Sequence, residues 1–245
     1  MGILSGKVAL VTGASRGIGA RVAELLAEGG ADIAINYRSK GPRAEEVARH
    51  VRALGRIALL AQADITDARE VQTMIDLVAE QFGGLDLLIL NASGGLERDK
   101  PADYAMRLNA TAQTGLVDCA LPIMRDGGRI VFVTSHLAHF YGQKPTYPVY
   151  ETVASSKKAG EDALRARAPE LARHGISLVV VSGDLIEGTI TPRLMQRQSP
   201  GLIEERRRDA GGLPTVDDFA RAIVTAATDA QLTSGATILV GSAEW

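Results

Sequence analysis

Tyr150 could donate a proton, and Lys157, seven positions later in the sequence, could set the acidity of that donor. On an α-helix, seven steps return to nearly the same face, about 10 Å further along the axis. The free pKa is about 10 for a phenol and about 10.4 for a lysine ammonium, so a nearby Lys157 charge would favour the tyrosinate and lower the pKa of Tyr150. This pair predicts a site that stabilises charge on a substrate oxygen and protonates it.

A glycine-spaced turn follows the first apolar segment, and together they read VALVTGASRGIG from Val8 to Gly19. Glycines at 13, 17 and 19 let the backbone turn tightly, approach a pyrophosphate and pack against a strand. A phosphate is favoured at the N-terminus of the helix that follows. The segment predicts a dinucleotide site, with an ordinary strand-to-helix turn as the alternative.

Short apolar segments alternate with longer helical patterns along the chain. We predict strands near 7–12, 32–37, 57–62, 85–91, 129–134, 176–182 and 236–240, with helices in the intervals. The alternation predicts an α/β fold, a Rossmann-type doubly wound parallel sheet of about seven strands with helices on both faces. Ligands in such sheets bind beyond the carboxyl ends of the strands.

The composition is that expected for a single globular domain over residues 1–245. The chain is 46% hydrophobic, and its net charge of -2 argues against a nucleic-acid partner. The sequence has no apolar segment long enough to span a membrane. We expect a cytoplasmic protein. One cysteine, Cys119, excludes an internal disulfide and a cysteine-based zinc site, and we predict no metal.

These elements resemble the short-chain dehydrogenase/reductase family from about residue 5 to the C-terminus. The motifs that carry the resemblance are TGASRGIG, ADI with Asp64, NASG from Asn91, Asn109, Ser135 after VFVT, and the helix SKKAGEDALRARAPELARHGI. The resemblance implies catalytic roles for Ser135, Tyr150, Lys157 and Asn109, with Lys157 also holding the nicotinamide ribose. It implies cofactor contacts from Gly13, Ser15, Arg16, Gly17, Ile18, Gly19, Arg38, Asp64, Ile65, Asn91, Ala92, Ser93, Gly183, Ile186 and Thr189. Thr189 has a second interpretation, as the cap of the next helix.

The chain departs from the family at Val153, which stands four residues before Lys157 where the usual tyrosine would be. The Tyr-x6-Lys spacing of Tyr150 resembles the enoyl-acyl-carrier-protein reductases, and INYRSK, NASGG, YETVASSK and VSGDLIEGT resemble segments of their NADPH-dependent bacterial type. In enoyl-thioester reduction the hydride goes to the β-carbon while charge develops on a more distant carbonyl oxygen, so a displaced donor fits. We therefore expect reduction of an enoyl thioester or related activated alkene, on an acyl carrier or coenzyme A, in fatty acid metabolism.

Two other functions remain open. Ser135 and a relocated tyrosine could reduce a 3-oxoacyl or other ketone, or the protein could bind a nucleotide without turnover. Tyr141 and Tyr147 compete with Tyr150, because the segment between Ser135 and Lys157 is about five residues longer than usual. His136 and His139 are interpreted as loop histidines bonded to backbone or water rather than as acids or bases.

The cofactor preference follows from charge. The end of the second strand, where an NAD-selecting acid usually stands, is Asn36, followed by Tyr37 and Arg38. Arg16 and Arg38 could flank a 2'-phosphate with charge-assisted hydrogen bonds, so we expect NADP(H).

The segment 188–213 resembles the family's mobile substrate lid. Its arginines at 206 to 208 are interpreted as a solvated helix face, with a carrier protein or phosphopantetheine contact as the alternative. The chain between Arg98 and Asn109 is several residues shorter than the family usually shows. By family analogy we expect a homotetramer or a homodimer.

Overall fold

The computed structural model describes residues 2–97 and 99–244. It leaves out Met1, Trp245 and Arg98, the residue at which the shortened segment begins. Within these ranges the strands are β1 (Val8–Val11), β2 (Asp32–Tyr37), β3 (Ala58–Gln62), β4 (Leu85–Leu90), β5 (Met124–Ser135), β6 (Ser177–Gly183) and β7 (Thr237–Val240). They form one seven-stranded sheet in the order β3-β2-β1-β4-β5-β6-β7, with every pairing parallel. This arrangement confirms the predicted fold class.

The helices fill the intervals between strands. They are α1 (Gly17–Glu28), α2 (Gly41–Ala53), α3 (Ala68–Phe82), α4 (Tyr104–Met106), α5 (Ala112–Ala120), α6 (His136–His139), α7 (Glu151–Ala166), α8 (Ala168–Arg173), α9 (Ile190–Gln198), α10 (Leu202–Asp209) and α11 (Val216–Thr228). A π-helical turn, Arg107–Thr111, joins α4 to α5, and 3-10 turns lie at Leu121–Ile123 and Pro148–Tyr150. None of the helices in the described ranges is long and apolar enough to cross a bilayer.

Side chains of the central strands alternate between the two faces of the sheet, and each face has its own core. Val11 and Ile35 face a cluster with residues from α1, α2 and α11. Leu10 and Leu88 face a second cluster with residues from α3, α5 and α7. Because both faces are covered, the strands read as nearly continuous apolar segments.

Strand β5 begins earlier than predicted, at Met124 rather than near residue 129. Its first pair joins Leu85 to Met124, and the register then shifts so that Leu87 pairs with Arg129. The intervening segment is polar and glycine-rich, and Gly127 has a φ of 75°. A hydrophobic pattern does not reveal such an irregular extension.

Strands β1 and β4 lie side by side, although the chain leaves β1 toward β2 on the other side. Such a switch point opens a crevice at the carboxyl ends. Thr12 and Asn91 join its two sides: the Asn91 amide donates to the Thr12 carbonyl at 2.8 Å, and the Thr12 hydroxyl accepts from the Asn91 and Ala92 backbones at 2.9 and 3.0 Å.

Candidate active site

A cavity of about 620 Å³ opens at this crevice. The sequence-predicted residues that line it are Gly13, Ser15, Arg16, Gly17, Ile18, Gly19, Arg38, Asp64, Ile65, Asn91, Ala92, Ser93, Ser135, Tyr150, Lys157, Ile186 and Thr189. Two predicted residues lie elsewhere. Asn109 is buried behind the wall, and Gly183 lines a small adjoining cavity together with Ser135 and Tyr147.

The glycine turn has the close approaches that a dinucleotide site needs. A Cβ on Gly19 would stand 2.5 Å from the Gly13 carbonyl oxygen, and Gly13 itself has a φ of 65°. Gly17 has a φ of 57°, and a Cβ there would meet no atom within 4 Å. Helix α1 begins at Gly17 without a side-chain cap or a first-turn acid. Its first N–H groups are therefore suited to phosphate oxygens, and the turn fits the pyrophosphate of a dinucleotide.

The end of the cavity beside Arg38 and Asp64, which we call the adenosine end, is rich in cations. Arg38 donates to the Tyr104 hydroxyl at 2.7 Å, and its guanidinium lies 3.8 Å from the Asp64 carboxylate. Burial raises the pKa of Asp64, but hydrogen bonds from Thr66 and the Arg38 charge outweigh it and leave the pKa below its ordinary value. Asp64 is therefore held as an anion.

Lys40 and Arg43 also line this end, beside Arg16 and Arg38. Sequence reasoning missed both, although their positions directly after β2 and in the first turn of α2 follow the rule that ligands contact residues beyond strand ends. The four cations make the site suited to a 2'-phosphate.

Asn36 is the last residue but one of its strand rather than its end. Strand β2 continues to Tyr37, and Asn36 is only 2% exposed. Its amide oxygen accepts from the Gly13 backbone N–H at 3.2 Å, and its amide nitrogen donates to the carbonyls of Ala61 and Ala63 at 3.1 and 3.2 Å. The amide is committed to joining β2 to the glycine turn and to the segment leaving β3.

At the other half of the cavity, the hydroxyls of Ser135 and Tyr150 lie 3.2 Å apart. Ser135 is the last residue of β5, and Tyr150 ends the 3-10 turn that leads into α7. Tyr150 is 4% exposed, and Lys157, 7% exposed, lines the same cavity two turns further along α7. Folding thus brings together three of the residues that the sequence singled out.

Burial dominates the acidity of both titratable groups. It raises the pKa of the Tyr150 phenol above its ordinary value, against the hydrogen bond with Ser135, and it lowers the pKa of Lys157 to about 8. The expectation that Lys157 lowers the pKa of Tyr150 is therefore wrong for this structure, because desolvation of the phenolate outweighs any attraction to the ammonium. Tyr150 is held protonated, as a proton donor must be before it reacts.

The two competing tyrosines, Tyr141 and Tyr147, do not line the main cavity. The Tyr141 hydroxyl donates to Glu151 at 2.5 Å, and Tyr141 does not line the main cavity. Tyr147 lines the small adjoining cavity. Of the three, Tyr150 is the one whose hydroxyl meets Ser135.

Asn109 stands in the π-helical turn and is 1% exposed. Its amide nitrogen donates to the Gly94 carbonyl at 2.9 Å and to the Ser156 hydroxyl at 3.0 Å, and its amide oxygen accepts from the Gly94 N–H at 3.3 Å. A Cβ on Gly160 would stand 2.1 Å from the Asn109 carbonyl oxygen, so α7 packs directly on this turn. These contacts make Asn109 a positioning residue for α7 and the loop at Gly94.

Val153 is 4% exposed and lies beneath the loop that follows β4. A Cβ on Gly95 would stand 3.2 Å from a Val153 methyl and 2.6 Å from the Ala105 methyl. The loop at Gly95 thus packs closely against Val153, the residue that stands where the family's usual tyrosine would be.

The two histidines belong to the short helix α6 rather than to a loop, and both bond to side chains, while His136 also bonds to the Val240 backbone. His136 is bonded to the Ser182 hydroxyl at 2.8 Å, and burial lowers its pKa to about 4. His139 lies 2.8 and 3.0 Å from the two oxygens of the buried Glu161. Within the described ranges, no group of three or more histidine, cysteine, aspartate or glutamate side chains could hold a metal.

The segment predicted as a lid contains two helices of different character. Helix α9 presents Ile190 and Arg193 to the cavity and to solvent. In α10, Arg206 is 3% exposed and ion-paired with Asp184 at 2.7 Å, which shows that the interpretation of Arg206 as part of a solvated face was wrong. Thr189 stands at the start of α9 but makes no side-chain capping bond, since its hydroxyl donates to the Ile186 carbonyl at 2.8 Å.

The short chain dehydrogenase family model matches residues 7–199. The chain belongs to the short-chain dehydrogenase family. Among its relatives, hydroxynaphthalene reductase arp2 of Aspergillus fumigatus is 34% identical over 206 residues, which are 81% of this chain and 73% of that protein.

Solved structures of short-chain dehydrogenases match nearly the whole chain. A short chain dehydrogenase from Burkholderia cenocepacia in complex with NADP has a TM-score of 0.84 at 32% identity and covers 97% of each chain. The angucycline C-6 ketoreductase LanV with bound NADP has a TM-score of 0.81 at 30% identity and covers 99% of this chain and 97% of that one. This short-chain dehydrogenase is therefore an oxidoreductase, and the predicted family and enzyme class are confirmed. The names of these relatives are those of a hydroxynaphthalene reductase, a short chain dehydrogenase and a ketoreductase, so they do not show the narrower enoyl-reductase type.

Proposed function

We propose that this protein is an NADPH-dependent carbonyl reductase that uses Tyr150 as a displaced proton donor. The observation that carries the proposal is the 3.2 Å contact between the Ser135 and Tyr150 hydroxyls beside Lys157. Two hydroxyls at this spacing can both donate to one carbonyl oxygen and stabilise the charge that develops on it in ketone reduction. The carbonyl reductases among the relatives support this function over the enoyl-thioester reduction expected from the Tyr-x6-Lys spacing.

NADPH, when bound, supplies the hydride that the carbonyl carbon accepts. Ser135 and Tyr150 hold the carbonyl oxygen and stabilise its developing negative charge. Tyr150 then gives that oxygen its proton, which completes the alcohol. Lys157, when protonated, favours the phenolate left behind, because an opposite charge nearby stabilises an ionised phenol.

The choice of NADPH is supported by the four cations at the adenosine end. Arg16, Arg38, Lys40 and Arg43 line this end of the cavity. The 2'-phosphate that distinguishes NADP from NAD would be attracted by each of them. Two similar structures hold NADP, which agrees with this assignment.

For the substrate, we propose a ketone on a fused-ring compound. Hydroxynaphthalene reductase and an angucycline ketoreductase are both similar to this chain. Leu185, Ile190 and Pro192 line the same cavity as Tyr150, among polar side chains such as Thr191 and Arg193. The apolar surface of these three residues suits a flat apolar ring system, which gains free energy from burial.

Enoyl-thioester reduction is the second candidate, and one observation favours it. Val153 stands four residues before Lys157, where the usual donor would be, and the hydroxyl of Tyr150 enters the cavity from the 3-10 turn just before α7. A donor displaced in this way suits a reaction in which the oxygen lies further from the carbon that accepts hydride.

The test is NADPH consumption with four substrates side by side: 1-tetralone, trans-1-decalone, acetoacetyl coenzyme A and crotonyl coenzyme A. We expect turnover of the cyclic ketones, and we expect crotonyl coenzyme A to be inert. Preferential turnover of crotonyl coenzyme A would establish the second candidate. Tight NADPH binding without turnover of any ketone or activated alkene would favour a non-catalytic protein. Light scattering of the same sample tests the expected tetramer or dimer.

A further inference from the structure

Arg206 is a buried cation in the middle of the lid segment. Its side chain is 3% exposed, although it stands in a run of three arginines on a short, highly charged helix. A guanidinium is retained in a buried place only where its charge and its donors are satisfied. The contacts of Arg206 therefore indicate a specific role.

The Arg206 guanidinium joins three separate parts of the chain. It donates to both oxygens of Asp184, at 3.0 and 2.7 Å, directly after β6. It also donates to the carbonyls of Ser242 and Glu244, at 2.7 and 2.6 Å, in the segment after β7. Helix α10 is thereby fixed to the end of the sheet by four hydrogen bonds from one side chain.

The same region packs against Tyr150. Ile203 of α10 and Met195 of α9 belong to one buried cluster with Tyr150 and Leu185. Tyr150 precedes the first residue of α7, and its backbone N–H donates to the Tyr147 carbonyl at 2.8 Å in the 3-10 turn. Its ring is positioned by the cluster, and the cluster depends on where α10 lies.

Asp184 connects the ion pair to the cavity itself. Its carboxylate accepts the Leu185 N–H at 2.7 Å, and both residues line the main cavity with Tyr150. A Cβ on Gly241 would stand 2.8 Å from the Asp184 Cβ, so the segment after β7 is packed closely behind it. A shift of Asp184 would therefore be transmitted to Leu185 and to the wall beside the phenol.

We propose that Arg206 is a positioning residue for Tyr150: its ion pair with Asp184 fixes α10, and the buried cluster on α10 holds the phenol beside Ser135. Helix α10 is then a fixed part of the active site.

Arg207 provides a matched control on the same helix. Its side chain is 47% exposed, and its partner is Glu187 at the surface, at 2.8 Å. Arg206→Met and Arg207→Met remove the same charge from adjacent positions. Only the first removes the ion-pair partner of Asp184 and a donor to two backbone carbonyls, so only the first should disturb Tyr150.

The first experiment is hydrogen exchange of the unliganded protein, which needs neither substrate nor turnover. In Arg206→Met we expect exchange to accelerate at least tenfold in segments 202–209 and 147–151, with α1 and the central strands unchanged. Arg207→Met should exchange like the unmutated protein. If Arg206→Met does not fold, Arg206→Lys replaces it, because lysine keeps the charge toward Asp184 but cannot make all four bonds.

The second experiment rests on the proposed carbonyl reduction and measures steady-state rates with NADPH and a ketone that the unmutated enzyme turns over. We expect the Arg206 variant to lower kcat at least tenfold, with NADPH affinity within twofold, and Arg206→Lys to be intermediate. Unchanged exchange at 147–151, unchanged kcat, or equal losses in both arginine variants would overturn the positioning role. Inactivity of the unmutated enzyme on every ketone would contradict the proposed function and leave the exchange result to decide on Arg206.

Discussion

Replacing Tyr150 with phenylalanine removes one oxygen and leaves the ring in its buried cluster. The lost contact is the 3.2 Å hydrogen bond to Ser135, which contributes about 1 kcal/mol to folding. For a chain of this length, that corresponds to a fall in Tm of about 2–4 °C. The fold and the cofactor half of the cavity should be unaffected.

The effect on the reaction should be much larger than the effect on folding. A positioned acid contributes about 10² to 10⁴ in rate, which corresponds to about 3–5 kcal/mol of transition-state stabilisation. We therefore expect Tyr150→Phe to lower kcat by this factor with NADPH affinity within twofold. Ser135→Ala should also lower kcat, and the double variant should be little worse than Tyr150→Phe, because the two hydroxyls act on one oxygen.

Tyr147→Phe is the matched control, because Tyr147 lies nearby but lines the small adjoining cavity. Its kcat should stay within twofold. Rates are measured on a ketone by NADPH absorbance, and melting by circular dichroism. Full activity in Tyr150→Phe together with a large loss in Tyr147→Phe would transfer the donor role to Tyr147 and refute the assignment made from the Ser135 contact.

Four further variants, one of them a control, test the rest of the site. Arg38→Asp should weaken NADPH binding about 10- to 100-fold and NADH binding far less, because a repelling charge replaces a partner of the 2'-phosphate. Titration of nucleotide fluorescence measures both affinities, and equal losses would contradict the assignment of Arg38 to the phosphate site. Since burial lowers the pKa of Lys157 to about 8, its ammonium is present below that pH, and kcat/KM should fall as pH rises through about 8. Lys157→Ala should abolish turnover. Lys158→Ala, which loses only a surface contact, should keep the same dependence of kcat/KM on pH as the unmutated enzyme. The reverse outcome would contradict the assignment of Lys157 to the active site. Val153→Tyr should lower Tm by several degrees, because the ring would collide with the loop at Gly95. The same substitution should not restore the activity of Tyr150→Phe. Restored activity in the double variant would show that the loop at Gly95 can move to accept the ring.

The sheet and the cofactor half were predictable because their signals are local. Apolar segments near 32–37 and 85–91 coincide with strands, and the glycines at 13, 17 and 19 adopt the close turn that their spacing indicates. Each of these signals depends on residues close together in the sequence. The rule that ligands bind beyond strand ends then places most of the predicted residues around one cavity.

The rest of the site depends on contacts between distant segments. Arg206 reads as a solvated charge because its sequence neighbours are charged, and its burial depends on Asp184, 22 residues away. Asn109 resembles a catalytic asparagine, but its amide partners, Gly94 and Ser156, are on other elements. The choice among three tyrosines depends on the path of the loop before Tyr150, which no periodicity specifies.

The amide of Asn36 has a consequence for any attempt to re-engineer cofactor use. Exchanging a single residue at the end of β2 for aspartate is the obvious route toward NAD. Here the side chain at 36 faces the carbonyl oxygens of Ala61 and Ala63, and a carboxylate there would repel both and lose the donor that joins the strands. A redesign of coenzyme specificity in this scaffold has to begin two residues later, at Arg38, whose side-chain partners Tyr104 and Asp64 lie outside the strands of the sheet.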